Sequence, residues 1–142
     1  MGKINVQRII LGGLLAGLVF NVGEFIANGL FGDEYEAALS ALGITMPTDT
    51  SMMLYYIGLG FLFGIAIVYV YALLRAHFGP GPRTAIHAGL LVWLFSAFFH
   101  TAGEGPMGIM PLWLYMIGMA WWLVELPLAA LAGAWVYRDP PV

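Results

Sequence analysis

Four long apolar stretches, separated by short polar segments, set the limits on what this chain can fold into. They run approximately over Ile9–Phe31, Met52–Leu74, Thr84–Thr101 and Leu112–Tyr137. A helix of roughly 20 apolar residues crosses a hydrocarbon core about 30 Å thick. Backbone groups in lipid must satisfy their own hydrogen bonds, and the alternating pattern of barrel strands is absent. The sequence therefore predicts an all-α membrane protein, with residues 1–142 forming one transmembrane domain, a four-helix bundle.

Composition excludes several other classes of protein. Hydrophobic residues make up 61% of the chain and charged residues only 9%, against about 25% charged in soluble domains. Five Lys and Arg against eight Asp and Glu, with no basic run, argue against a nucleic-acid partner. The absence of cysteine excludes disulfides, thiol catalysis, iron–sulfur clusters and cysteine-ligated zinc. Membrane lipids are the partner that the composition predicts.

The charged residues predict an orientation. Lys and Arg in short loops stay in the cytoplasm, and all five fall on one side of the predicted spans: Lys3, Arg8, Arg75, Arg83 and Arg138. The opposite segments carry only acidic residues: Asp33, Glu34, Glu36, Asp49 and Glu104. We therefore expect a multi-pass protein with both termini cytoplasmic. Two aromatic belts agree: Tyr55, Tyr56, Trp113 and Tyr115 on the outer side, and Tyr69, Tyr71, Trp135 and Tyr137 on the inner side.

The segment between the first two spans, residues 32–51, is the longest loop. Asp33 stands three residues before Glu36, a pattern typical of a helix start. An apolar side over residues 37–42 then suggests a short helix lying on the membrane surface. A solvated acidic loop explains the same residues equally well.

The sequence also suggests a parallel repeat of a two-helix unit. The run 54–58, Leu-Tyr-Tyr-Ile-Gly, resembles the run 114–118, Leu-Tyr-Met-Ile-Gly. Placing Glu24 on His100 also places Asn28 on Glu104. Several membrane folds are built from such repeats, but apolar sequences also match by chance.

Two glutamates, Glu24 and Glu125, fall inside predicted spans. An ionisable group at that depth is expensive, so it is expected to face protein and to mark a site. At about 1.5 Å rise per residue, the polar residues of three spans reach similar heights, roughly 18–25 Å from the cytoplasmic ends. The sequence therefore predicts one intramembrane polar cluster: Asn21, Glu24, Ser96, His100 and Glu125. Glu104 and Asn28 are its expected companions nearer the outer face, and Pro127 is expected to kink the fourth span beside it.

Three interpretations of this cluster stay open. It could only fix the packing, it could relay protons or cations, or it could bind a metal. His100 and Glu104 are four residues apart on one helix, with Glu24 a possible third ligand. This metal signal is weak, because the di-iron bundle pattern needs Glu-x-x-His twice.

No cofactor and no catalytic residue is predicted. The histidines are His77, His87 and His100, and none falls in the first, second or fourth predicted span. Bis-histidine haem between two spans of one protomer is therefore excluded. The chain has no Ser-x-x-Lys, nucleophile elbow or zincin helix.

Two motifs resemble those of small bacterial four-span membrane proteins that have no assigned activity. One is the run 21–25, Asn-Val-Gly-Glu-Phe, and the other is the closing run from Glu125 to Arg138. This resemblance covers most of the chain. It implies a bacterial inner (plasma) membrane and a four-helix architecture, and it implies no function.

The sequence supports one principal functional hypothesis and two alternatives. The chain has almost no extramembrane mass, which favours action through helix association, as a homo-oligomer or as an accessory subunit of a larger membrane complex. The first alternative is a small proton or cation translocator built around Glu24, His100 and Glu125. The second is a lipid- or quinone-binding protein.

Overall fold

The computed structural model describes residues 4–138 and contains four helical spans, each long and apolar enough to cross a membrane. The helices are α1 (Val6–Ala41), α2 (Thr50–Phe78), α3 (Pro82–Trp93), α4 (Phe99–Glu104) and α5 (Leu112–Val136). A π-helical segment, Leu94–Phe98, joins α3 to α4, and a 3-10 turn, Gly105–Met107, follows α4. The predicted all-helical, four-span architecture is confirmed. The orientation and the repeat stay predictions, and Lys3 and Asp139 lie outside the described residues.

Helix α1 is longer than the predicted first span. It continues without a break through residues 32–41, where the sequence suggested a separate surface helix. Its 36 residues correspond to about 54 Å at 1.5 Å per residue, well beyond a hydrocarbon core of about 30 Å. The hydroxyl of Tyr35 donates a 2.9 Å hydrogen bond to the carbonyl of Leu114, which holds this extension against α5. A positive φ of 74° at Gly43 then turns the chain towards α2.

Tyr137 connects the start of the described chain to α2 at one end of the bundle, called here the terminal end. Its hydroxyl accepts a hydrogen bond from the backbone N–H of Asn5 (3.4 Å), and its carbonyl accepts one from Arg75 (3.4 Å). The guanidinium of Arg75 lies 5.3 Å from the centre of the Tyr137 ring, and the ring of Tyr71 packs edge-on against the Tyr137 ring at 5.9 Å. Tyr71 and Tyr137 are therefore core residues, 2% and 3% exposed, and not part of an interfacial belt.

Small residues lie at the closest contacts between helices in the half of the bundle near this end. Gly64 on α2 lies directly against the backbone of Gly13 and Gly17 on α1, and Gly89 on α3 lies against the backbone of Pro127 on α5. Without a side chain, glycine lets helix backbones approach this closely. The core around these contacts contains Ala16, Ile67, Val68, Ala85, Ala88, Leu126, Ala129 and Ala130, all fully buried. This half of the bundle is densely packed.

The acidic residue Asp49 immediately precedes α2, at its N-cap position. The hydroxyl of Ser51 donates a hydrogen bond to its carboxylate, which lowers the pKa of Asp49 because the bond stabilises the charged form. A lowered pKa in the folded state contributes stability above the ordinary aspartate value of about 3.9, and this contribution is lost as the pH falls through the folded value.

Replacing Ser51 by alanine is therefore expected to raise the pKa of Asp49 towards its ordinary value. Carbon-detected NMR titration of the aspartate carboxyl groups measures this shift directly. Ser40→Ala, an exposed serine near the end of α1, is the matched control and should leave the titration of Asp49 unchanged. An unchanged midpoint in Ser51→Ala would contradict the assignment.

Candidate functional site: a cavity between the helices

The half of the bundle away from the terminal end, called here the loop end, contains a partly open cavity of about 790 Å³. Side chains from α1, α2, the π-helical segment, α4 and α5 line it. Its aromatic lining residues are Phe31, Tyr35, Tyr56, Tyr115, Trp121 and Trp122. Its acidic lining residues are Glu24, Asp33, Glu36 and Asp49. Ligand pockets in proteins have this size, about 300–1,000 Å³, and this mixture of apolar walls with a few polar groups.

The π-helical segment forms one wall of the cavity. It begins after Trp93, whose indole N–H donates a 2.8 Å hydrogen bond to the carbonyl of Met119 and so ties the third span to α5. Such a segment adds a residue to a helical turn, which rotates all the following side chains relative to a regular α-helix. Ala97 within the segment and His100 after it line the cavity. A regular α-helix was predicted for this segment, so the rotation of the following side chains differs from the prediction.

Glu24 on α1 lines the cavity and is held by Trp122 on α5. The indole N–H of Trp122 donates a 2.7 Å hydrogen bond to the Glu24 carboxylate. The Trp122 ring is fixed in turn by Phe20, 5.6 Å away edge-on, and by Phe63 at 5.7 Å. The carboxylate of Glu24 is thus held by a tryptophan whose own ring is fixed by aromatic packing.

Glu125 lies behind Glu24 and is almost completely buried, with only 6% of its surface exposed. Neither oxygen of its carboxyl group has a hydrogen-bond partner in the described part of the chain. One of these oxygens lies against the backbone of Gly23, where any side chain would collide with it. Glu24 is close enough to interact with it electrostatically. The structure thus brings together the two glutamates of the predicted spans, called here the glutamate pair.

His100 belongs to a second polar group, nearer the mouth of the cavity. Its Nδ1 lies 3.4 Å from a carboxylate oxygen of Glu104, and both side chains are about half exposed. The hydroxyl of Tyr115 donates to the other oxygen of Glu104 at 3.3 Å, and the rings of His100 and Tyr115 are 6.0 Å apart. We call His100, Glu104 and Tyr115 the rim group. Tyr115, expected in an interfacial belt, is instead buried.

Two residues of the predicted cluster bond elsewhere. The amide of Asn21 donates to the carbonyls of Gly17 (2.9 Å) and Ile57 (3.2 Å), so it joins α1 to α2. The hydroxyl of Ser96 lies at the cavity wall but donates to the carbonyl of Val92 in its own helix at 2.7 Å. Asn28, the expected companion, also lines the cavity. The five residues therefore do not form one hydrogen-bonded cluster.

The predicted metal ligands do not assemble into a site. Within residues 4–138, no three side chains among His, Asp and Glu converge on a common point for a metal ion. His100 and Glu104 lie together in the rim group, but Glu24 lies with Glu125 and not with them. His77 is in the last turn of α2 and His87 is in α3, both on the exposed surface near the terminal end.

Trp122 is a functional residue that the sequence analysis did not single out. In the structure it is the hydrogen-bond donor that holds Glu24. A signal was present, since Trp122 precedes Glu125 by three residues and therefore shares its helix face. Which residue of another helix it would meet is a property of the packing alone.

Comparison of the chain with protein-family models, with curated proteins and with solved structures finds no match. The chemistry of the site must therefore be read from its geometry. A partly open space with aromatic walls, the carboxyl group of Glu24 and the side chains of His100 and Tyr115 in its lining is suited to holding a molecule that is partly apolar and partly polar.

Proposed function

We propose that this multi-pass membrane protein binds an amphipathic molecule, a lipid or a quinone, in the cavity at its loop end. The observation that carries the proposal is the cavity itself, about 790 Å³ of space with Glu24 and His100 among its aromatic lining. A cavity of this volume accepts a polar head group together with the first part of a hydrocarbon chain. Location in a bacterial plasma membrane with cytoplasmic termini, as the sequence predicts, would place the cavity in the outer half of the bilayer.

The packing of the helices supports access from the membrane. Among the described elements, α2 packs on α3 but not on α4, although both α2 and α4 border the cavity. A hydrocarbon chain that passes between α2 and α4 would leave the polar head inside. Phe95 and Phe99, next to this region on the third span, are 67% and 54% exposed and would contact the lipid chains.

The geometry favours this function over a translocator of protons or cations. Translocation needs a polar route across the whole bundle, and the glutamate pair would be its midpoint. Between the pair and the terminal end, however, the core is closed by fully buried apolar residues such as Ile67, Leu126 and Ala129. Glu24 therefore lines the cavity on one side of this closed core, which supports binding over translocation.

Action through association, as a homo-oligomer or as an accessory subunit, was the principal hypothesis from the sequence. Small residues that could serve association between chains are used within the chain, where Gly13, Gly17 and Gly64 join α1 to α2. The cavity therefore has the stronger support, and association is kept as a separate proposal, tested by the native mass of the purified protein.

Filling the cavity should prevent binding. Ala27 on α1 lines it, and Ala27→Phe is expected to weaken one-to-one adducts with phosphatidylethanolamine or with decylubiquinone at least tenfold, as native mass spectrometry can measure. Ala120→Phe is the matched control, since Ala120 lies on the exposed side of α5 and outside the cavity. Equal affinity in both variants, or no adduct of the unaltered protein with either of these probes or with an amphipathic amine, would overturn the proposal. The two probes separate a lipid from a quinone.

A further inference from the structure

The cavity is lined by acidic side chains. Glu24, Asp33, Glu36 and Asp49 line it, and among residues 4–138 no Lys or Arg does. The described basic side chains, Arg8, Arg75, Arg83 and Arg138, belong to segments near the terminal end, at the opposite end of the bundle. The imidazole of His100 is the basic group nearest the cavity, and it is already paired with Glu104.

Glu125 is an independent indication that a partner is missing. It is 6% exposed, and both of its carboxyl oxygens lack a hydrogen-bond donor among residues 4–138. A buried polar group without a partner is costly, and a buried carboxylate more so, unless a donor or a cation compensates it. The indole N–H of Trp122 goes to Glu24, whereas that of Trp121, which interacts with Glu125, is itself buried without a formed hydrogen bond among residues 4–138.

The aromatic walls suit the same kind of partner. Trp121 and Trp122 line the cavity beside Glu24, with Tyr115 further out. Aromatic faces attract cations, most strongly those of tryptophan and most strongly where water is excluded. Carboxylates combined with tryptophan faces therefore favour an organic cation over a neutral or anionic head group.

We infer that the bound molecule carries an ammonium head group, held in the cavity by Glu24, with Glu125 buried behind it. This inference rests on the proposed function, because it assigns a chemical class to the ligand of the same cavity. An ammonium group donates a hydrogen bond to Glu24, places its charge beside the tryptophan rings and is attracted by the carboxyl group of Glu125 behind Glu24. The same chemistry is offered by an ethanolamine lipid head group and by a free amphipathic amine.

Two probes with the same chain test the inference. Dodecylammonium is expected to bind the purified protein at least tenfold more tightly than 1-dodecanol, as native mass spectrometry or calorimetry can measure. Glu24→Gln should reduce the affinity for dodecylammonium to that for dodecanol and leave dodecanol binding unchanged.

A second variant keeps both carboxyl groups and moves only one of them. Gly23→Ala places a methyl group where an oxygen of Glu125 now lies, so the flexible end of that side chain must shift. We expect this variant also to lose the preference for dodecylammonium. Gly29→Ala is the matched control in the same helix, because a methyl group there meets no neighbour, and it should keep the preference.

The source of the ammonium group is tested with lipids. Displacement of phosphatidylethanolamine by dodecylammonium, with no adduct formed by its N-acylated form, supports a lipid head group. Binding of dodecylammonium without any phosphatidylethanolamine adduct supports a free amine.

Equal binding of dodecylammonium and dodecanol, unaffected by Glu24→Gln and Gly23→Ala but lost in Ala27→Phe, would overturn the ammonium inference and leave the proposed cavity function intact. Binding of both probes that Ala27→Phe does not weaken would overturn the cavity function itself.

Discussion

Replacing Gly64 by alanine is expected to lower the free energy of unfolding by about 3 kcal/mol, at the upper end of the usual range for overpacking. The added methyl group would overlap the backbone of Gly13 and Gly17 on α1. Backbone atoms cannot turn aside as the end of a side chain can, so α1 and α2 would have to separate. Their separation would also disturb the hydrogen bond of Asn21 to the carbonyl of Ile57.

Gly58→Ala is the matched control for this prediction. Gly58 is in the same helix, but a methyl group there meets no neighbour. Alanine also favours a helix by up to about 1 kcal/mol over glycine, so this variant should be slightly more stable than the unaltered protein. Unfolding in mixed micelles with increasing SDS compares the two. Equal stability of Gly64→Ala and Gly58→Ala would show that the α1–α2 contact is looser than described.

Replacing Glu125 by methionine is expected to raise the free energy of unfolding by about 1–3 kcal/mol, the usual cost of an unsatisfied buried polar group. Methionine is similar in length and flexible, so it can occupy the space between α1 and α5 without a cavity. The carboxyl group that it removes has no hydrogen-bond partner in the described part of the chain. The same variant should lose the preference for dodecylammonium.

Stability and binding measured together distinguish a packing role of Glu125 from a binding role. If Glu125 only fixed the helix packing, its removal would destabilise the protein. A gain in stability together with a loss of binding is instead typical of a residue kept for function. Glu125→Gln is the control, since it keeps an unsatisfied polar group and should change stability by less than about 1 kcal/mol. A loss of stability in Glu125→Met would contradict the functional role.

Part of the site could be predicted from the sequence. A carboxyl group inside an apolar span is visible in the sequence, and the heights of Glu24 and Glu125 along their helices follow from a regular rise per residue. The pairing of His100 with Glu104 follows from their spacing of four residues. These are local properties of single helices.

The other features of the site depend on how each helix is rotated about its axis and on which side chains of different helices meet. Asn21 was expected to face Glu24 and Glu125, but it faces α2 and bonds to Ile57. His100 was placed by a regular helical period that the π-helical segment interrupts. No pattern in the sequence predicts a π-helical segment, because such a segment is rare and depends on contacts with the other helices.

The sequence by itself determined that this chain has four helices, each long and apolar enough to cross a membrane, because the solvation of backbone and apolar side chains depends on composition and length alone. It also located the two carboxyl groups that have no surface explanation, Glu24 and Glu125. Only the tertiary structure decided that the helices pack tightly near the terminal end and leave a cavity of about 790 Å³ at the other. The physical reason is that close packing depends on which side chains meet, and four apolar helices of similar composition can meet in many ways.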